Sequence, residues 1–132
     1  MPSSSSVFLH LGLPKTGTTF LQRVLAEHRS ALVAQGLLYP GERPDHFLAA
    51  QDVLERPFRG HEDDRVPGAW EATVREVTAL LWNAPASPEI FTVASSDQAR
   101  KIVEAFPDRP VELIVTARDL ARQLTANWQE TI

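Results

Sequence analysis

Cysteine is absent from this chain of 132 residues. Disulfides and metal sites built on thiolates are thereby excluded. A chain without cysteine suits a reducing compartment, and a cytoplasmic location is the expectation. A basic surplus is missing too: 13 Lys and Arg stand against 17 Asp and Glu, a formal net charge of −4. A general nucleic-acid binder shows a basic face, so nucleic acid is not an expected partner. A small anion needs only a few local donors and is not excluded by that balance. No apolar run approaches the roughly 20 residues that cross a bilayer, so no membrane partner is expected. Met1 to Ser6 is small and polar, without the basic start and apolar stretch of a signal peptide, and reads as a flexible lead-in. Residues 7–132 are of a size for one domain.

Strand and helix patterns alternate along the rest of the chain. Val7 to Leu11 reads Val-Phe-Leu-His-Leu, as in a strand buried on both faces of a parallel sheet. A loop with Gly12, Pro14 and Gly17 follows. A helix pattern then runs from near Thr18 to Gly36, with Phe20, Leu21, Val24, Leu25, Leu32 and Val33 largely on one side. Leu37 to Tyr39 is a short extended piece closed by Pro40 and Gly41. A short helix over His46 to Leu54 and a second from about Ala69 to Trp82 are predicted, the latter with Trp70, Val74, Val77 and Leu81 in register. Ile90 to Ala94 reads as a strand, and Ser95, Ser96 and Asp97 offer cap chemistry for a helix to about Phe106. Val111 to Thr116 reads as a third strand, with Arg118 just past its end. Leu120, Leu124 and Trp128 repeat at helical spacing thereafter, and the sheet that results reads as incomplete. Such alternation implies an α/β fold with ligands at the carboxyl ends of the strands.

One segment carries chemistry. Gly12-Leu13-Pro14-Lys15-Thr16-Gly17-Thr18-Thr19 lies between a predicted strand and a predicted helix. Glycines let the backbone fold closely around an anion, and a helix start offers unpaired N–H groups at the positive end of its dipole. Lys15 adds a charge, and Thr16, Thr18 and Thr19 add hydroxyls. The nucleotide-triphosphatase loop, G-x-x-x-x-G-K-[ST], is different, because here the lysine precedes the second glycine. The plain alternative is a strand-to-helix turn with an incidental lysine.

Val7 to Gln22, VFLHLGLPKTGTTFLQ, resembles the opening of PAPS-dependent sulfotransferases, in particular bacterial members of that family. Gly36 to Gly41 resembles the short strand that follows their first helix. Ile114 to Glu130, IVTARDLARQLTANWQE, resembles their second cofactor segment. The resemblance implies a three-layer α/β sandwich with a parallel sheet, related to P-loop kinases. It also implies 3′-phosphoadenosine-5′-phosphosulfate (PAPS) as sulfuryl donor, with no metal. Carried over, Pro14, Lys15, Thr16, Gly17, Thr18 and Thr19 would hold the 5′-phosphosulfate end. Lys15 would contact the bridging and leaving oxygens, and Arg118 would pair with the 3′-phosphate. The family places a serine about two helical turns after that arginine; Thr125 is the nearest hydroxyl here, in an imperfect register. Where many bacterial relatives carry a Ser-His-Glu-like stretch, this chain has Ala94-Ser95-Ser96-Asp97.

A sulfuryl acceptor needs a general base. His46 is the leading candidate and His61 the next, each set against the alternative of a surface-loop histidine. Glu42 and Asp45 are weaker candidates, and His10 reads as a packed residue behind the loop. Glu62-Asp63-Asp64 reads as a solvated acidic turn rather than a metal site. Trp70 and Trp128 read as core or partial core rather than a ligand platform. Arg118-Asp119 is alternatively a salt-bridged helix start. Three functions stay open: a sulfotransferase, a P-loop kinase or nucleotide hydrolase, and a non-catalytic binding or interaction module, with self-association through an exposed sheet edge.

Overall fold

The apolar run after the serines becomes the central strand. In a computed structural model, which describes residues 5–12, 16–42, 45–57, 60, 63–79, 84–86 and 89–131, Val7–Gly12 forms β1 and Val111–Thr116 forms β3. The short strand β2 is Ala84–Ala86. Strand order is β2-β1-β3, and β1 pairs in parallel with both neighbours. The register sets Val7 beside Val111 and Gly12 beside Thr116. Parallel neighbours need long crossovers, and helices supply them. These are α1 (Thr18–Glu27), α2 (Arg29–Ala34), α3 (Asp45–Leu54) and α4 (Ala69–Ala79) between β1 and β2, and α5 (Ser96–Glu104) between β2 and β3; α6 (Leu120–Thr131) follows β3. The chain is thus a mixed helix-and-strand fold with a parallel sheet. Among the described residues no helix is long and apolar enough to cross a membrane.

The core lies against β1. Val7 and Leu9 pack with Ala49, Ala50, Val53 and Leu54 of α3, Val77 of α4 and Ile102 of α5. Trp70, Phe91 and Phe106 fill one side of it, Trp70 meeting both phenylalanines edge-on at 6.1 Å between ring centroids. Arg109 clasps the base. Its Nε donates to the Ser5 carbonyl at 3.0 Å and its Nη1 to the Val77 carbonyl at 2.6 Å, joining the first strand to the end of α4. Burial lowers the pKa of this guanidinium, and the carbonyls replace the water it gives up.

Three expectations need correction. The helix from Thr18 to Gly36 is two helices, because His28 leaves helical dihedrals at φ −102° and ψ 17°. Just past that break, Arg29 Nε donates to the Tyr39 carbonyl at 3.0 Å, tying α2 to the buried extended piece. The strand placed at Ile90 to Ala94 is a 3₁₀ helix, Glu89–Val93, and the strand lies earlier at Ala84–Ala86. A short apolar run does not separate strand from buried turn, and a proline such as Pro85 is compatible with an edge strand. Trp128 is 67% exposed rather than packed. Its stripe on α6, with Leu120 and Leu124, is exposed, as are Leu113 and Val115 on β3. Those two strand residues share a face with the buried Leu9, so the apolar cover over β1 stops short of β3.

Candidate functional site

The carboxyl ends of β1 and β3 are adjacent, because Gly12 pairs with Thr116. The glycine loop leaves one strand there and the arginine segment leaves the other. Leu13, Pro14 and Lys15 lie outside the described residues. The chain resumes at Thr16, whose Oγ1 is 3.3 Å from Thr116 Oγ1. Thr116 Oγ1 is in turn 3.0 Å from His10 Nε2, so a polar chain joins β1, β3 and the loop. His10 is buried, and desolvation lowers its pKa. The ring is therefore neutral at pH 7, in keeping with the packed role expected of it. The sequence marks Thr116 only as a strand end. The signal that would have found it is its register opposite Gly12, which a single sequence does not supply.

Gly17 enters α1 in the left-handed region, at φ 86° and ψ 12°. Its carbonyl accepts from Phe20 N at 3.1 Å and from Leu21 N at 3.3 Å. Among the described residues no side chain caps this helix start. The Thr18 and Thr19 amides, ahead of those of Phe20 and Leu21, have no acceptor within the helix and lie at the positive end of its dipole. Thr18 is buried and Thr19 is exposed. The cradle has no room for a side chain on Gly12: a Cβ there would stand 1.9 Å from Thr18 Cγ2 and 3.1 Å from Thr116 Oγ1.

Arg118 is exposed two residues past Thr116. Its neighbour Asp119 is committed to the helix that follows, accepting from Arg122 N at 3.0 Å and pairing with Arg122 Nε at 3.5 Å. The helix start thus uses Asp119 with Arg122. Thr125 is exposed on α6, and its hydroxyl donates to the Ala121 carbonyl at 2.9 Å. In that rotamer only lone pairs remain, the wrong polarity for a phosphate.

The remaining candidates are placed elsewhere. His46 is no surface-loop residue: it is 4% exposed, stacked on Tyr39 at 4.4 Å, with Nε2 2.6 Å from the Pro40 carbonyl oxygen. A neutral ring donates that bond, so the geometry gives His46 a packing role. Asp45 accepts from Glu42 N at 2.5 Å, closing the turn before α3. His61 and Glu62 lie outside the described residues. Asp63 is gripped by Arg65 at 2.6 Å, and that hydrogen bonding pulls its pKa to about 2. Among the described residues no group of three or more His, Asp or Glu is arranged to hold a metal. A groove of about 620 Å³ lies between α4 and α5 and shares no lining residue with the loop, Thr116 or Arg118.

His46 also sets a pH dependence. Burial holds its pKa below the ordinary value, against a smaller rise from the Pro40 hydrogen bond. Unfolding restores a value of about 6.5, so the unfolded chain binds the proton first as pH falls. The contribution to stability is complete above that value and is lost progressively below it. A urea midpoint measured at pH 7.5 and 5.5 should fall. His46→Gln, which keeps an amide donor but does not titrate, should flatten the fall. His10, lowered in the same sense, leaves a residual slope. Equal slopes in the parent and the variant would remove His46 from this account.

No family model, no curated protein and no solved structure matches the chain.

Proposed function

We propose that the chain binds PAPS at the carboxyl ends of β1 and β3 and transfers its sulfuryl group to a hydroxyl or amine acceptor. The observation that carries this reading is the pairing of Gly12 with Thr116, which sets two separately recognised segments side by side. A nucleotide with phosphates at its 5′ and 3′ positions needs two such anion sites. The loop from Pro14 to Thr19 would take the 5′ end, with its amides, hydroxyls and Lys15. Arg118 would take the 3′-phosphate, where a planar guanidinium fork suits the oxygens. The fold would be the three-layer sandwich of P-loop kinases, and the family that of sulfotransferases.

The donor supplies the sulfuryl group. Its sulfur–oxygen bond to phosphate breaks as the acceptor atom bonds sulfur, and the acceptor's proton passes to a base. Lys15 and the loop donors would stabilise charge on the departing phosphate oxygen from fixed positions.

Calorimetric titration with 3′,5′-adenosine bisphosphate, beside ATP, tests the site. The bisphosphate is expected to bind more tightly than ATP. Lys15→Ala and Arg118→Ala should each weaken it by about 10- to 100-fold, the loss of a charge-assisted hydrogen bond. Thr125→Val should stay within about twofold, because its proton already serves Ala121. A folded chain that does not bind, or that binds equally without Lys15 and Arg118, would overturn the proposal.

The exposed apolar residues of β3 and α6 favour a second reading, a cofactor-binding or interaction module without catalysis. The two readings part in an acceptor screen with the sulfuryl donor: binding without transfer to any hydroxyl or amine supports the second.

A further inference from the structure

A cleft of about 420 Å³ lies where α3 ends and the chain turns back towards α4. Asp52, Glu55, Asp63 and Asp64 line it, with Arg56 as an opposing charge. Asp52 Oδ2 accepts from Trp70 N at 2.9 Å, and Asp63 is held by Arg65 through both of its oxygens. Glu55 and Asp64 are exposed and make no hydrogen bond or ion pair among the described residues. Acidic residues at a surface are usually no more than solvated, and it is the floor that sets this cleft apart. Gln51 lines it and is 4% exposed, so the little of it that meets solvent opens on the cleft. Its backbone carbonyl accepts from Arg56 N at 3.0 Å, but its side-chain amide has no hydrogen-bond partner among the described residues. Buried amides are nearly always paired, so an open one at the bottom of a cleft marks a place for a ligand group. The carboxylates do not converge: among the described residues no three acidic or histidine side chains are arranged to hold a metal. Pro57, Val66 and Pro67 add apolar wall to the same cleft. Charge spread along an apolar wall suits a cation with several charges on a methylene chain, whose stem and heads separate as those of a long basic side chain do. The volume is in the range of small-ligand sites.

We propose that the cleft at the end of α3 binds an alkyl polyamine, with ammonium groups on Glu55 and Asp64, a hydrogen bond to Gln51 Oε1 and methylenes on Pro57 and Pro67. Water competes with the ligand for the two exposed carboxylates, so these contribute weakly and in a salt-dependent way. Gln51 is shielded, and its bond to a charged donor is the stronger one. Arg56 repels the ligand and limits its affinity. The cleft shares no lining residue with the loop, Thr116 or Arg118, so this site stands apart from the proposed sulfuryl transfer.

The experiment is calorimetric titration of the full chain with spermidine at low and raised ionic strength, beside butylamine and Mg²⁺ alone. Spermidine is expected to bind at a single site, more weakly as salt rises, and about tenfold or more tightly than butylamine, which carries one ammonium group. Glu55→Gln and Asp64→Asn should each weaken it about two- to fivefold, and Arg56→Gln should tighten it by a similar factor. Gln51→Leu leaves the charge unchanged and should weaken it about tenfold or more. Glu27→Gln and Glu112→Gln, which remove exposed carboxylates outside the cleft, should leave binding within about 1.5-fold. Where Gln51→Leu fails to fold, the contrast between these two pairs of carboxylate variants decides by itself. No binding by the parent, equal binding of butylamine or Mg²⁺, equal weakening by both carboxylate pairs, or parent-like binding by a folded Gln51→Leu chain would overturn the proposal.

Discussion

Gly12→Ala is expected to destabilise the fold by roughly 2–3 kcal/mol and to weaken binding of 3′,5′-adenosine bisphosphate about tenfold or more, effects large for one methyl group. The added Cβ would stand 1.9 Å from Thr18 Cγ2, well inside van der Waals contact, with Thr116 Oγ1 at 3.1 Å and Thr16 Oγ1 at 3.3 Å. Thr18 is buried and β-branched, so it cannot rotate aside at little cost. The separation of β1 from α1 must open instead, and it is this separation that sets the loop over the strand ends. Gly17 is the control. An alanine there meets no atom within 4 Å, and its penalty is the left-handed backbone at φ 86°, about 1–2 kcal/mol. The two mechanisms separate in double variants. Adding Thr18→Ser removes the clashing methyl, so it should restore most of the urea midpoint lost by Gly12→Ala and none of that lost by Gly17→Ala. Simple additivity of Gly12→Ala and Thr18→Ser would show that contact between the two is not the cause.

The legible part of this molecule is the part written in local chemistry. Val7 to Leu11 announces a buried strand because nearly every residue is apolar, and the structure buries or half-buries all of β1. Ser95 announces a helix start, and the structure adds a reciprocal capping box in which Ser95 Oγ accepts from Gln98 N and Gln98 Oε1 accepts from Ser95 N. Gln98 then reaches the Leu54 carbonyl at 2.8 Å, a contact across 44 positions that no local pattern contains. The misread parts fail for the same reason. Whether Ile90 to Ala94 becomes a strand depends on which segment wins the place beside β1, and Ala84–Ala86 holds it. His46 carries no mark of burial in the sequence. Its partners, Tyr39 and the Pro40 carbonyl, come from a segment folded back onto it after a turn at Gly41. The loop motif was readable as chemistry, but its pairing with Thr116 and the buried His10 is a property of sheet register.

Trp70→Ala and Trp128→Ala should differ more than any other like pair in the chain. The spacing of apolar residues places both on helical faces and predicts packing for both. The structure separates them: Trp70 is 7% exposed and Trp128 is 67% exposed. Trp70 sits in the first turn of α4, where its backbone N–H donates to Asp52 Oδ2 of α3 at 2.9 Å. Its ring stands edge-on to Phe91 and Phe106 at interplanar angles of 82° and 80°, so one side chain joins α4, the 3₁₀ helix and the turn after α5. Truncation there removes the transfer free energy of an indole and leaves a cavity that three separately anchored elements cannot close together. The expected loss is about 3–5 kcal/mol, or roughly 10–20 °C in thermal midpoint. Against the 5–15 kcal/mol typical of a domain, that is a large fraction of the whole. Trp128→Ala removes a ring already in water and should change stability by less than about 0.5 kcal/mol. It should also reduce any concentration-dependent self-association, since it shortens the apolar stripe begun by Leu120 and Leu124. Thermal melts of the two variants at equal concentration decide the matter. A comparable loss of stability at both sites would mean that α6 is covered in solution and that its apolar face has found a partner surface.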